Sequence, residues 1–166
     1  MMRARGIIGA VSVALLACGC ASPATVIPVS ADYARGQVEP LNPQAALAEI
    51  NSFRKANGVP PVVMDSHLMR AASLHSQDQA RAGLMSHGGT DGSRPVERAV
   101  KAGYRPTITS ENVAAGYKSF EDVMRGWEGS PHHRENLLRP SVTEIGVAMA
   151  QSSAGRAYWT LMLGTE

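Results

Sequence analysis

Both cysteines of this chain, Cys18 and Cys20, stand within its first 20 residues, and no thiol follows them. Whatever the remainder folds into must be held by packing and hydrogen bonding, without a disulfide framework. That is demanding for a small domain, and the length meets the demand. Of 166 residues, an N-terminal segment and a tail leave roughly 120 for a single core. With 44% apolar and 18% charged residues, the composition is that of a globular chain rather than a disordered or multi-pass membrane one.

The first 20 residues read as an export signal. Arg3 and Arg5 supply a positive start, and Ile7 to Ala17 form an apolar run too short to span a bilayer as a helix. Leu15-Leu16-Ala17-Cys18 resembles a bacterial lipobox, in which the cysteine is lipidated and becomes the new N-terminus. Leu16-Ala17-Cys18-Gly19-Cys20 offers Cys20 as the alternative, and an ordinary signal cut near Ala21-Ser22 would leave no lipid. The expected organisation is a signal over 1–20, a flexible tether over 21–41 containing Pro23, Pro28, Gly36 and Pro40, and one domain over 42–165. Multiple acyl chains, at about 0.8 kcal/mol per buried methylene, would hold such a protein on a membrane of the bacterial envelope. Removing Arg3 and Arg5 leaves 14 basic side chains against 14 acidic ones, which gives no electrostatic case for a nucleic-acid partner.

Helical periodicity begins after Asn42-Pro43, with Ala46, Leu47, Ile50 and Phe53 on one face, and stops at Asn57-Gly58. A second helix is predicted from Asp65-Ser66 to about Leu84, with Leu68, Ala71, Ala72, His75, Gln79 and Ala82 along its stripe. After the turn-rich stretch Ser86 to Ser93, a short helix through Val96, Ala99 and Val100 can end at Gly103. Glu111 to Gly116 reads as a short strand. Ser119 and Asp122 form a capping box ahead of Phe120, Val123, Met124 and Trp127, a core-facing stripe. Ile145, Val147 and Met149 alternate with small residues, and Tyr158 to Leu163 is a run of strand formers, so the chain ends in an antiparallel hairpin. Helices first and strands last predict an α+β domain with helices around a small antiparallel sheet.

An ordered set of short motifs narrows this further. They are Asn51-Ser52-Phe53-Arg54, Ser86-His87, Glu97-Arg98, Ala102-Gly103-Tyr104, Ser110 to Gly116, Trp127 to Leu138, Ile145-Gly146-Val147 and Tyr158-Trp159-Thr160. In this order and spacing, from about Leu41 to Gly164, they resemble the compact bacterial branch of the CAP superfamily, named for cysteine-rich secretory proteins, antigen 5 and pathogenesis-related 1. The resemblance implies a three-layer α-β-α sandwich and a central cleft lined by histidines and glutamates that sometimes hold a divalent metal. Carried over to this sequence, it assigns His87 and Glu111 to the cleft. The second histidine of larger members would fall at Arg156-Ala157, so His133 is the expected substitute. The second glutamate would fall at Ser130, with Glu128 the nearest carboxylate, so three residues are expected where relatives have four.

The residues support a site of this kind in their own right. Ser130 as N-cap and Pro131 as the first helical residue place His132 and His133 at the positive end of a helical turn, where neutral imidazole is favoured. Neutral imidazole is the form that binds metal or accepts a proton. Consecutive helical residues diverge by about 100°, so one of His132 and His133 faces outward. His87, Glu111 and His133 could form a two-nitrogen, one-oxygen site for zinc, with water in the remaining positions. Against this, Glu111 can simply pair with Arg134, and His75 on its apolar stripe reads as a packed core histidine. His67 reads as solvated, and Trp127, Phe120 and Trp159 read as core.

These features predict a monomeric envelope protein that binds a small apolar, amphipathic or cell-wall ligand in its cleft. One alternative is a metal-assisted hydrolase using His87, Glu111 and His133; the other is an adhesive or structural envelope element. The chain has no His-Glu-x-x-His or Gly-x-Ser-x-Gly motif, which favours binding over catalysis.

Overall fold

In the computed structural model, residues 37–166 are described. The signal, Cys18, Cys20 and most of the tether lie outside the described residues. Five helices and four strands follow in the order α1 (Pro43–Ala56), β1 (Val63–Met64), α2 (Ser66–Ala82), α3 (Pro95–Ala102), β2 (Ile108–Ala115), α4 (Phe120–Gly129), α5 (Pro131–Leu137), β3 (Glu144–Gln151) and β4 (Ala157–Thr165). The strands form one sheet in the order β1-β3-β4-β2.

Local chemistry accounts for the helix boundaries. Asn42 Oδ1 accepts from the N–H groups of Gln44 and Ala45, and Asp65 accepts from that of Leu68, satisfying donors that a helix start leaves free. Gly83 and Gly103 end α2 and α3 in the left-handed region, at φ 68° and 106°, where a side chain would be strained. Ser119 Oγ accepts from the Asp122 N–H at 3.1 Å, forming the expected cap of α4. Ser130 stands at the N-cap of α5, but its side chain makes no capping bond there.

The central strand β4 explains the layering. Ala157, Trp159, Leu161 and Leu163 point to a core shared with Ala46 and Ile50 of α1, Val123, Met124 and Trp127 of α4, and Leu137 of α5. Met162, on the other face, packs with Leu68, Ala71 and Ala72 of α2 and Ala99 and Ala102 of α3. A strand buried on both faces reads as a continuous apolar run rather than an alternating one, which is the pattern of Tyr158 to Leu163. The predicted α-β-α sandwich is therefore present. Gly146 of β3 lets α2 lie directly on the sheet, because a Cβ there would stand 2.0 Å from the backbone carbon of Leu68.

Three local expectations change. The sheet is mixed rather than purely antiparallel, because the two-residue β1 pairs parallel with β3, and two residues are too short for alternation to reveal. Strand β2 begins at Ile108, three residues earlier than expected. In α3 the buried face is Arg98, Ala99 and Ala102, while Val96 and Val100 are exposed. The Asn51 to Arg54 motif is structural: Arg54 is fully buried and donates to the carbonyls of Pro60, Leu137 and Val142, tying α1 to the segments that precede β1 and β3.

Candidate functional site

The site is assembled around Glu111 on β2. Register places Glu111 opposite Met162 and Asn112 opposite Leu161. Side chains alternate along a strand, so Glu111 faces the α2–α3 layer while Asn112 faces the layer of α1, α4 and α5. The Glu111 side chain is 1% exposed, and a carboxylate so placed requires partners. Arg98 of α3 supplies the first, donating from Nη2 to Glu111 Oε2 at 2.6 Å. His87 supplies the second, its Nδ1 donating to Glu111 Oε1 at 2.8 Å. A second imidazole stands close by, with His75 Nε2 at 3.8 Å from the same Oε1.

Three side chains of α2 hold the loop that carries His87. His75 Nε2 donates to the Ser86 carbonyl at 2.8 Å. Gln79 accepts from the Ser86 N–H and donates to Thr160 Oγ1 of β4. Asp78 accepts from both the N–H and the hydroxyl of Thr90. Arg98 closes the loop from the other side, donating to the carbonyls of Ser93 and His87 at 2.8 and 2.9 Å. A single guanidinium thus binds both the carboxylate and the backbone of the residue that carries its imidazole partner. Arginine's planar fork suits such a position.

The electrostatics follow from these contacts. The hydrogen bond to Glu111 is the main cause that raises the His87 pKa above its ordinary value, against partial desolvation. Burial lowers the pKa of His75 despite the nearby carboxylate. His133 is also lowered, first by desolvation and then by the proximity of His87 and His132. Neutral imidazole is thus favoured at His133 as expected, but burial is the leading cause rather than the helix terminus.

The sequence-assigned residues do not all meet. His87 and Glu111 are in contact, with the His87 side chain 55% exposed. His133 is half-buried and His132 exposed, so the two rings diverge as helix geometry requires. The His133 carbonyl accepts from Asn112 Nδ2 at 3.0 Å, and Asn136 Nδ2 donates to Asn112 Oδ1. α5 is therefore fastened to the face of β2 opposite the one that carries the Glu111 carboxylate. Among the described residues, no group of three His, Cys, Asp or Glu side chains is placed to hold a metal ion. Both Glu111 oxygens already accept bonds from Arg98 and His87. This arrangement does not fit a resident divalent ion bound by His87, Glu111 and His133.

Arg134 does not pair with Glu111. It donates to Asn57 Oδ1 at 2.7 Å and lies over the Phe53 ring. Burial chiefly, then like-charge repulsion from Glu121 and Glu128, raises the pKa of Glu49 on α1, which places Glu128 toward α1. The functional assignment from sequence missed Arg98, His75 and Asn112. Arg98 carried no local signal, because the predicted stripe of α3 ran through Val96, Ala99 and Val100, and the buried arc of Arg98, Ala99 and Ala102 emerges only in the fold.

Comparisons with known proteins agree with this architecture. The family model described as CAP, cysteine-rich secretory protein family, matches residues 47–163. The uncharacterized protein YkwD of Bacillus subtilis is 31% identical over 110 residues, covering 66% of this chain and 42% of YkwD; the chain therefore spans less than half of that relative's length. An outer surface protein of Borrelia burgdorferi has a similar structure, with a TM-score of 0.69 and 21% identity over 74% of this chain and 91% of the other. An extracellular SCP-domain protein of Bacillus anthracis gives a TM-score of 0.69 and 22% identity over 77% and 45% of the respective chains. At these identities the two structural likenesses speak to the fold.

Proposed function

Since the chain belongs to the cysteine-rich secretory protein (CAP) family, we propose that it is a lipid-anchored binding protein of the bacterial envelope whose cleft captures a small amphipathic or cell-wall ligand. It acts as a monomer, tethered through a lipid on Cys18, with Cys20 as the alternative. Relatives described as an outer surface protein and an extracellular protein support the location. Among the described residues, no helix is long and apolar enough to cross a membrane, so in this proposal the lipid provides the attachment.

The observation that carries the ligand class is the surface next to His87. Leu84 and Met85 are 63% and 49% exposed, and the half-exposed His87 ring follows them within the same loop. An apolar stretch ending in a fixed polar group suits a molecule with an apolar body and a polar head. Glu111 acts as a positioning residue, holding the His87 ring through Nδ1. Native mass spectrometry of the protein taken from its own envelope, together with vesicle binding, tests the proposal. A bound mass that is lost in Leu84→Ser/Met85→Ser supports it. Absence of both a bound mass and any affinity for vesicles overturns it.

One observation favours a second reading, hydrolysis. With Nδ1 of His87 on a carboxylate, Nε2 is left free to accept a proton from water or a substrate hydroxyl. A divalent metal would supply Lewis-acid activation of water, but the residues do not fit one, so no step is assigned to it. Turnover of any ester or amide substrate that disappears in His87→Ala would favour this reading.

A further inference from the structure

The turn between β3 and β4, the loop after β2 and the segment ahead of α1 border an open cavity of about 530 Å3, within the range for ligand sites. Its lining includes Lys118, Arg156, Gln37, Gln151 and Gly116, and it holds no carboxylate. The Glu39 N–H donates to the Lys118 carbonyl at 2.7 Å, which fastens the segment carrying Gln37 to this wall. The neighbouring acids are placed elsewhere. Glu39 lies outside the lining, and Glu121 and Asp122 are paired with Arg125.

Arg156 is held at the wall with its charge unmatched. Its guanidinium lies over the ring of the buried Tyr158, 5.8 Å from the centroid. The same group passes beside Gly116, where a Cβ would stand 3.7 Å from its Nε and 3.8 Å from its Nη2. Among the described residues, the hydrogen bonds of Arg156 are backbone ones only, with Ser152. Neither Arg156 nor Lys118 has an acidic partner within 4.0 Å among those residues, and both side chains are exposed. Two cations on one cavity with no acid between them repel, and an anion there relieves the repulsion. A guanidinium fork meets two oxygens of a phosphate at once, while lysine adds a compact second charge. Gln37 and Gln151 add amide donors to the same lining.

We propose that this cavity binds a phosphate group, with Arg156 making the paired contact and Lys118 supplying the second charge. The phosphate has two sources, a lipid headgroup and a soluble phosphate, and the test separates them. The lipid source rests on the anchor of the proposed function, since the segment ahead of Gln37 leads to Cys18 and Cys20; the cavity itself does not. It is distinct from the amphipathic surface at Leu84, Met85 and His87.

The test uses the full-length protein carrying Cys18→Ser/Cys20→Ser, which can take no lipid, so failure of the anchor leaves this result untouched. NMR follows the Arg156 Nε–H as sodium chloride is replaced by sodium phosphate at constant ionic strength, with sodium acetate as the control anion. A saturable shift with phosphate supports the proposal. Lys118→Met should weaken binding about fivefold, the share of one cation beside an anionic surface, and Arg156→Gln should weaken it at least as much. Neither variant removes a core side chain. Vesicles of phosphatidylglycerol and phosphatidylcholine form the second arm, read by co-sedimentation. Vesicle binding that free phosphate competes away, and that Lys118→Met/Arg156→Gln loses, assigns the site to a lipid headgroup; a phosphate shift without vesicle binding assigns it to a soluble phosphate. The proposal is overturned if phosphate gives no saturable shift, if acetate shifts the signal equally, or if the double variant binds phosphate unchanged.

Discussion

Replacing Arg98 with methionine tests the structural logic of the site most directly. Methionine preserves most of the aliphatic length but removes the bond to Glu111 Oε2 and those to the carbonyls of Ser93 and His87. The Glu111 side chain is 1% exposed and that of Arg98 9%, so water replaces little of what is lost. Removing one partner of a buried ion pair costs about 3–5 kcal/mol, chiefly because the other charge stays buried without compensation. For a domain of this size, that cost should lower the unfolding temperature by roughly 10–20 °C. If the uncompensated carboxylate is the source of the cost, Arg98→Met/Glu111→Gln should be more stable than Arg98→Met alone. Urea unfolding of the four species of the cycle, with unchanged m values, measures both quantities. A loss below about 1 kcal/mol for Arg98→Met, or a double variant no more stable than the single one, would refute the reasoning.

Further expectations concern packing, protonation and anchoring. Gly146→Ala should destabilise the domain by at least about 1–3 kcal/mol, because the new methyl meets the α2 backbone at Leu68 rather than a flexible side chain; chemical unfolding checks it, and a neutral result would mean that α2 does not rest on β3. NMR titration of the imidazoles should find His87 above, and His133 below, the ordinary value of about 6.5, with the His87 midpoint falling in Glu111→Gln; the reverse order would contradict the assigned contacts. The sign for stability follows. His87 holds its proton more tightly when folded, so its contribution is full in acid and is lost as pH rises through its folded value. His75 and His133 hold theirs less tightly, so their contribution is present above the ordinary range and is lost as pH falls. Zinc should leave the unfolding midpoint unchanged; stabilisation that disappears in both His87→Ala and His133→Ala would instead establish the three-ligand site. Cys18→Ser should abolish fatty-acid labelling and release the protein from membranes, whereas loss of label only in Cys20→Ser would move the anchor, and an unlabelled parent protein would exclude it.

Much of the architecture could be read from local patterns. The 3.6-residue period marked α1, α2 and α4, while the alternation of Ile145, Val147 and Met149 and the continuous run of strand formers Tyr158 to Leu163 marked the terminal hairpin, because each depends only on neighbours along one element. The ordered motifs placed His87 and Glu111 in one site, and the two do touch. Folding decided what short-range periodicity cannot express. The parallel pairing of β1 with β3, the choice of Arg98 over Arg134 as the partner of Glu111, and the approach of His75 each join residues far apart in the chain. The same holds for His133. Strand alternation turns Glu111 and Asn112 to opposite faces, and α5 docks on the Asn112 side. Sequence supplied a carboxylate and candidate imidazoles, while the register of β2 on β4 determined that the Glu111 side chain turns to α2 and α3 and that of Asn112 to α5.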